Sequence, residues 1–262
     1  MKGAEPFIKK LAREAGRAVL GRFGKDGHAH IKTKSPWDGV TAADLLAEKL
    51  IIEAIKKRYP KHGIIAEESG SEHAEAEYIW IIDPIDGTLN FATGVPLFSV
   101  MIALAKKREV IMSAIYMPMT DDLYFAKKGK GAYLNGARIH CSSRREFKNS
   151  LGCGFSSIRM RTAPFIKNVF QAIGKEHVVF NSFGAISINA CYVACGRRDW
   201  LLAPHGMLHD FAPTYLMLKE AGCAVTDVDG KPWKFGAQGI VAANPTLHKG
   251  LLRFSLKGEE LY

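Results

Sequence analysis

No apolar run in the chain reaches the ~18 residues that a membrane-spanning helix needs. The opening "MKGAEPFIKKLAREAGRAVLGRF" also lacks the unbroken apolar block of a signal peptide, so a cytoplasmic location is expected. Cysteine is scarce: Cys141, Cys153, Cys191, Cys195 and Cys223 are odd in number, scattered, and form no CxxC pair. A disulfide framework and a structural zinc site are therefore both excluded as expectations, leaving small buried hydrophobes. Dense basic tracts are missing too. The net charge is +10, yet its largest groups are as short as "KKR" at 56–58, "KKR" at 106–108 and "KKGKG" at 127–131. Such a balance suits nucleic acid, an anionic surface or small anionic substrates, but nothing resembles a basic arm or a stacked-aromatic RNA motif. A solvated basic surface is the simpler reading.

What the chain does have is core. Of its 262 residues 47% are hydrophobic and 24% charged, which suits one large domain or two closely packed ones. Apolar spacing predicts an amphipathic helix over 5–22, with Phe7, Ile8, Leu11, Ala15, Ala18 and Val19 on its inner face. A turn-rich stretch follows from Gly24 to Gly39. A long helix is expected from Thr41 to Arg58, with Leu45, Leu46, Ile51, Ile52 and Ile55 as a broad stripe and Pro60 as its stop. "GIIA" (63–66) and "YIWIID" (78–83) read as short strands, and 96–134 as an antiparallel meander. The remainder alternates strand and helix: strands at 151–155, in "HVVF", "DWLLA" and "GIVAAN", and helices in "APFIKNVFQAIG", "GAISINACYVACG", "DFAPTYLMLKEAG" and near 245–253. The polar "HCSSRREFKNS" marks a division of the chain into 1–146 and 147–262.

The chemistry concentrates in "WIIDPIDGTLNF", Trp80 to Phe91. A regular strand would send Asp83 and Asp86 to opposite faces. Pro84 suggests instead a turn over 83–86 that folds the two carboxylates together. Converging carboxylates repel unless a cation lies between them, and hard oxygen donors suit Mg²⁺. Gly87 and Thr88 follow at once, where exposed N–H groups at a turn or helix start form an anion cradle. An Asx-capped type I turn is the plain alternative. Further acids stand at the ends of other elements: Asp44 at the start of the long helix, Glu67 and Glu68 after "GIIA", and Asp210 at the start of a late helix. Each suits a helix N-terminus or a solvent-facing position as well as a ligand role.

The segments "KSPWDGVTAAD", "GIIAEES", "WIIDPIDGTLNF", "KKGKGAYLNG" and, more weakly, "HDFAPTYLMLKEAGCAVTDVDG" resemble the inositol monophosphatase family of bacterial or archaeal type. The resemblance covers nearly the whole chain. It implies an α/β (α+β) layered αβαβα sandwich, usually homodimeric, and a Mg²⁺-dependent, lithium-sensitive phosphatase. It further implies that Glu67, Asp83 and the Ile85 carbonyl bind one metal, that Asp83, Asp86 and Asp210 bind a second, and that Glu67 reaches a third, weaker ion through water. Gly87 and Thr88 would hold phosphate through backbone N–H groups. Asp44 and Thr88, with Glu67, would orient and activate the attacking water. In two-metal hydrolysis the ions sit ~4 Å apart, and no covalent nucleophile is needed. Residues 1–146 would then carry most metal ligands, and 147–262 Asp210 and the substrate side.

On the substrate side the chain departs from that family. The family's "WDxAA" reads His209-Asp210-Phe211-Ala212-Pro213, with His in place of Trp. Seven residues before Asp210, where inositol-specific members carry a glutamate, stands Ala203. "G-[ST]-A-A" reads Gly184-Ala185-Ile186-Ser187, and Asn181 or Ser182 stands where arginine is common. A pocket without a partner for a sugar hydroxyl discriminates poorly for that sugar. The expected substrate is therefore a small phosphorylated metabolite, resembling inositol 1-phosphate or a sugar phosphate. Fructose 1,6-bisphosphate, histidinol phosphate and adenosine 3′,5′-bisphosphate are alternatives. A binding or regulatory role toward RNA or the transcription apparatus is the alternative of a different kind. His205 and His209 lie four apart beside Asp210 and would suit a transition metal if helical, but the hard oxygens favour Mg²⁺ and leave His209 as a polar lining residue. Lys34 is a candidate for the rim of the site or an exposed loop lysine.

Overall fold

A computed structural model describes residues 3–25, 30–31, 39–154, 166–167, 170–171, 174 and 177–257, with backbone alone for residues 30, 31, 39 and 254–257. The segment "KSPWD" with Lys34, and seven of the twelve residues of "APFIKNVFQAIG", lie outside the described residues; Ile166, Lys167, Phe170 and Gln171 of the latter are described and helical, as expected.

Helix α1 (Ala4–Leu20) buries Ile8, Leu11, Ala12, Ala15 and Val19, one face at helical spacing. It packs on α2 (Ala42–Arg58). The inner face of α2 differs from the expected stripe. Ala43, Asp44, Ala47, Glu48, Ile51 and Ile55 are buried, whereas Leu45 and Leu46 are 56% and 39% exposed. Two acids occupy core-facing positions over the first turns, so the hydrophobic pattern misled there.

The first sheet has eight strands: β3 (Gly63–Ala66), β4 (Gly70–Glu72), β5 (Tyr78–Asp86), β6 (Ser99–Lys106), β7 (Glu109–Met117), β8 (Asp122–Lys127), β9 (Gly131–Leu134) and β10 (Ala137–Ile139). Their order is β10-β9-β8-β7-β6-β5-β3-β4, antiparallel throughout except for the parallel β3–β5 pair. Within the stretch read as turns, β1 (His30–Ile31) and β2 (Gly39–Val40) pair antiparallel. A one-and-a-half-turn helix α3 (Thr88–Ala92) leaves the end of β5.

The second sheet joins β11 (Leu151–Gly154), β12 (Val179–Asn181), β13 (Trp200–Ala203), β14 (Ala224–Thr226) and β15 (Ile240–Ala243) in the order β12-β11-β13-β15-β14. Helices α4 (Ile186–Ala194), α5 (Leu208–Glu220) and α6 (Pro245–Lys257) accompany the second sheet among the described residues.

Strand alternation sorts these elements into layers. Trp80, Ile82, Val100 and Ile102 face α1 and α2 in one core. Their neighbours Ile79, Ile81, Met101 and Ala103 face the other way, into a core shared with Ile188 of α4, Phe211 and Leu216 of α5, and Leu201, Ala203 and Ala242 of the second sheet. Trp200, Leu202, Val241 and Ala243 on the far side of that sheet pack on Leu247 and Leu251 of α6. The result is a helix–sheet–helix–sheet–helix sandwich, as expected. Each isoleucine buried in these cores contributes roughly 1.5–3 kcal/mol.

Candidate active site

The expected turn at 83–86 is not what forms. Strand β5 continues to Asp86 and stays paired with β6, Asp83 opposite Met101 and Asp86 opposite Ser99. Three steps along β5 thus match two along β6, which is a β-bulge. Pro84 has no N–H to give the ladder, so an irregularity is the way a sheet accommodates it. The one extra residue cancels the alternation, and residues three apart reach the same side. Pairing survives, and the carboxylates still converge.

Asp210 joins them from the first turn of α5. One carboxylate oxygen from each of Asp83, Asp86 and Asp210 lies within 4.8 Å of the others. Asp83 and Asp86 are buried, at 1% and 8% exposure. Burial first, then the charges of Glu67, Asp86, Asp210 and Asp44, push the Asp83 carboxyl well above its usual range. Burial and the Asp210 charge raise Asp86 to about 7, against hydrogen bonds from the second half of the chain. The N–H groups of Ile186 and Ser187 donate to Asp86 Oδ1 at 3.1 Å and Oδ2 at 2.6 Å, at the N-terminus of α4. Asp83 Oδ1, by contrast, is a buried oxygen with no hydrogen-bond partner. A divalent cation fits this donor set: it removes the mutual repulsion and satisfies the orphaned oxygen with hard ligands.

Asp44 closes a capping box at the start of α2. Its Oδ2 accepts from Thr41 N–H at 2.7 Å and from Thr41 Oγ1 at 2.5 Å, while its own N–H donates to Thr41 Oγ1 at 3.4 Å. Its other oxygen faces the Thr88 hydroxyl at 3.3 Å. Thr88 Oγ1 is also 2.9 Å from the Ile85 carbonyl, so one proton serves two acceptors. The Ile85 side chain is buried in the core, while its carbonyl accepts from the Thr88 hydroxyl. Gly87 caps α3 with φ +92°, and a Cβ there would lie 2.9 Å from the Leu97 carbonyl oxygen and 3.0 Å from Ala185 Cβ. Only glycine fits this link between strand and helix.

Glu67 follows directly on β3, its N–H donating to the Ile82 carbonyl at 3.2 Å. Because β3 and β5 are parallel, their C-terminal ends deliver Glu67, Asp83 and Asp86 to one sheet end. Sequence reasoning overlooked Glu48, whose carboxylate accepts from Glu68 N–H and Ser69 N–H, both at 2.8 Å. The available signal was its position one helical turn after Asp44.

The substrate-side candidates are more dispersed. Asn181 ends β12, an edge strand of the second sheet, and is half-buried. Gly184 has φ +74°, and a Cβ there would lie 2.7 Å from the Asn90 amide, which ties Leu97 and Phe183 carbonyls together at 2.7 Å each. Its need for glycine is steric. The Ala203 side chain is 2% exposed and packed in the middle core, opposite Ile240. His209 is half-buried in the first turn of α5 beside Asp210. Neither His209 nor His205 joins a group of three metal-binding side chains among the described residues; the carboxylates alone do.

Fold and site together define a layered α/β protein with a candidate divalent-cation centre of carboxylates. Comparison with known proteins gives the family. The inositol monophosphatase family profile matches residues 4–257, and the chain belongs to that family. It is 36% identical over 256 residues to the fructose-1,6-bisphosphatase/inositol-1-monophosphatase of Aquifex aeolicus, covering 97% of this chain and 96% of the relative. It is 35% identical over 245 residues to the Nus factor SuhB of Escherichia coli K12, covering 93% and 92%. Among solved structures, the suhB extragenic suppressor protein of Bartonella henselae superposes with a TM-score of 0.91 at 31% identity, covering 98% of this chain and all of the other. The Thermotoga maritima IMPase superposes with a TM-score of 0.87 at 29% identity, covering 97% of each chain.

Proposed function

We propose that the chain is a Mg²⁺-dependent phosphomonoesterase acting on a small phosphorylated metabolite of the inositol 1-phosphate or sugar phosphate kind. The convergence of Asp83, Asp86 and Asp210 oxygens within 4.8 Å, in a member of this family, carries the reading. Asp83, Asp86 and Asp210, with Glu67 and the Ile85 carbonyl, would hold two ions, and Glu67 would serve a third. Mg²⁺ supplies a lowered water pKa and neutralises phosphoryl charge. The chain's own groups do the rest. Backbone N–H groups of Gly87 and Thr88 take phosphate oxygens. The Thr88 hydroxyl, 3.3 Å from Asp44, orients the attacking water and passes its proton toward that carboxylate, with Glu67 assisting. Of the substrate-side candidates, Ala203 is packed in the core and Gly184 is held against Asn90, so neither contacts a substrate. Half-buried His209, beside Asp210, and Asn181 are left to border the leaving group, and no acid stands among them. A cytoplasmic homodimer belongs to the same reading. No described helix is long and apolar enough to cross a membrane.

The test is hydrolysis of a panel of phosphate esters, with and without Mg²⁺, by wild type and Asp86→Asn. Equal rates in both proteins would overturn the assignment. A second reading has one observation in its favour: a relative named as a Nus factor matches nearly as closely as the phosphatase does, at 35% against 36% identity. Salt-dependent retention of RNA or RNA polymerase, unaltered by Asp86→Asn, would establish that role. No binding at low salt removes it.

A further inference from the structure

Glu48 occupies a position that helix α2 would ordinarily give to an apolar residue. It is 3% exposed and lies on the buried face one turn after Asp44. Its two oxygens are engaged separately. Oε2 accepts from the N–H of Glu68 and Oε1 from the N–H of Ser69, each at 2.8 Å. These donors are the two residues that follow Glu67. On its other side, Glu67 is tied to β5 through its own N–H and the Ile82 carbonyl at 3.2 Å, next to Asp83. The backbone carrying Glu67 is therefore clamped between the strand that bears Asp83 and the helix that bears Asp44.

The residue type is specific to this task. Two N–H groups pointing at one side chain require two acceptors and no donor, which among side chains is a carboxylate. Glutamine of the same length would turn an NH₂ toward one N–H and leave that donor unsatisfied. Burying a carboxylate one helical turn from Asp44 costs solvation, and the two charge-assisted hydrogen bonds offset that cost.

We infer that Glu48 is a positioning residue: it fixes the turn after β3 so that the Glu67 carboxylate is directed at the Asp83 cluster, and so sets the divalent-cation affinity. The inference rests on the reading of Glu67 as a metal ligand. Outer partners of this kind typically contribute about 10–100-fold to metal affinity. The signature that separates positioning from general support is non-additivity, because Glu48 acts on the metal only through Glu67.

The experiment is Mn²⁺ titration followed by electron paramagnetic resonance on wild type, Glu48→Gln, Glu67→Gln and the double variant. Circular-dichroism melts establish that each is folded. Glu67→Gln is expected to weaken binding, Glu48→Gln to weaken it by about tenfold or more, and the double variant to bind no more weakly than Glu67→Gln alone. Unchanged affinity in Glu48→Gln, or additive losses in the double variant, overturns the inference. Unchanged affinity in Glu67→Gln overturns the underlying reading instead. If Glu48→Gln does not fold, Glu48→Asp takes its place in the same cycle. It keeps both acceptors on a shorter reach, and the same two outcomes decide.

Discussion

Asp86 Oδ2 accepts a hydrogen bond from the Ser187 N–H at 2.6 Å, joining the last residue of a strand in the first sheet to the first turn of a helix on the second. The same carboxyl faces Asp210. One side chain thus serves as a helix cap across the two halves and as a member of the carboxylate cluster. A cap role and a ligand role coexist because a carboxylate has four lone-pair sites.

That duality gives a pH dependence. Burial and Asp210 raise the Asp86 carboxyl from 3.8 to about 7 in the metal-free protein. A group that binds its proton more tightly when folded stabilises fully below its unfolded pKa, and that contribution is lost as pH rises through the folded pKa. Chelated wild type is expected to lose melting temperature relative to Asp86→Asn from about pH 4 to about 7, between the unfolded and folded values, and saturating Mg²⁺ to reverse the loss. Paired melts in EDTA and in Mg²⁺ measure this. A wild-type-minus-variant difference that stays flat with pH contradicts it.

Thr88→Val keeps the shape of the first α3 turn and removes its hydroxyl. The contacts to Asp44 and to the Ile85 carbonyl go with it. A fall in kcat of about 10²–10⁴-fold is expected, with KM changing much less, as for loss of a proton-transfer group. Steady-state kinetics on the best ester of the panel tests it.

Gly87→Ala places a methyl group 2.9 Å from the Leu97 carbonyl oxygen at φ +92°. A destabilisation of about 1–3 kcal/mol is expected from the strained backbone. Urea denaturation reads it as a lower midpoint, and a midpoint equal to wild type would mean the link is looser than its geometry implies.

All five cysteines are free. Burial pushes the thiols of Cys153 and Cys191 far up, whereas the hydrogen bond with Cys223 lowers Cys141 despite its partial burial. Cys141 is expected to be alkylated well before Cys153 and Cys191 under native conditions, since thiolate and access both favour it. Mass-spectrometric mapping of a timed iodoacetamide reaction gives the order. Melting temperature should be the same with and without reductant.

Much of this was legible in the residues. Runs such as Ile79–Ile82 and the α1 face carry their period openly, because their only task is packing. Reading failed where residues have a second task. Apolar spacing points Leu45 and Leu46 to the core, but Asp44 and Glu48 hold the inner face of α2, where periodicity gives charged residues no weight. At Asp83–Asp86 proline suggested a turn, and the neighbouring strand β6 decided for a bulge, since continued pairing satisfies more backbone groups than a reversal.

The sequence by itself determined the family, the layered alternation of strands and helices, and the acids at the ends of their elements, because local pattern and motif spacing are properties of the chain. The resemblance implied that Asp210 joins Asp83 and Asp86, but only the tertiary structure brought their oxygens within 4.8 Å, and only it decided that α4 donates to Asp86 and that Glu48 holds the turn beyond Glu67. Those contacts join residues 20 to 127 positions apart. Their distances follow from how two sheets pack on shared helices, which no local stretch of sequence encodes.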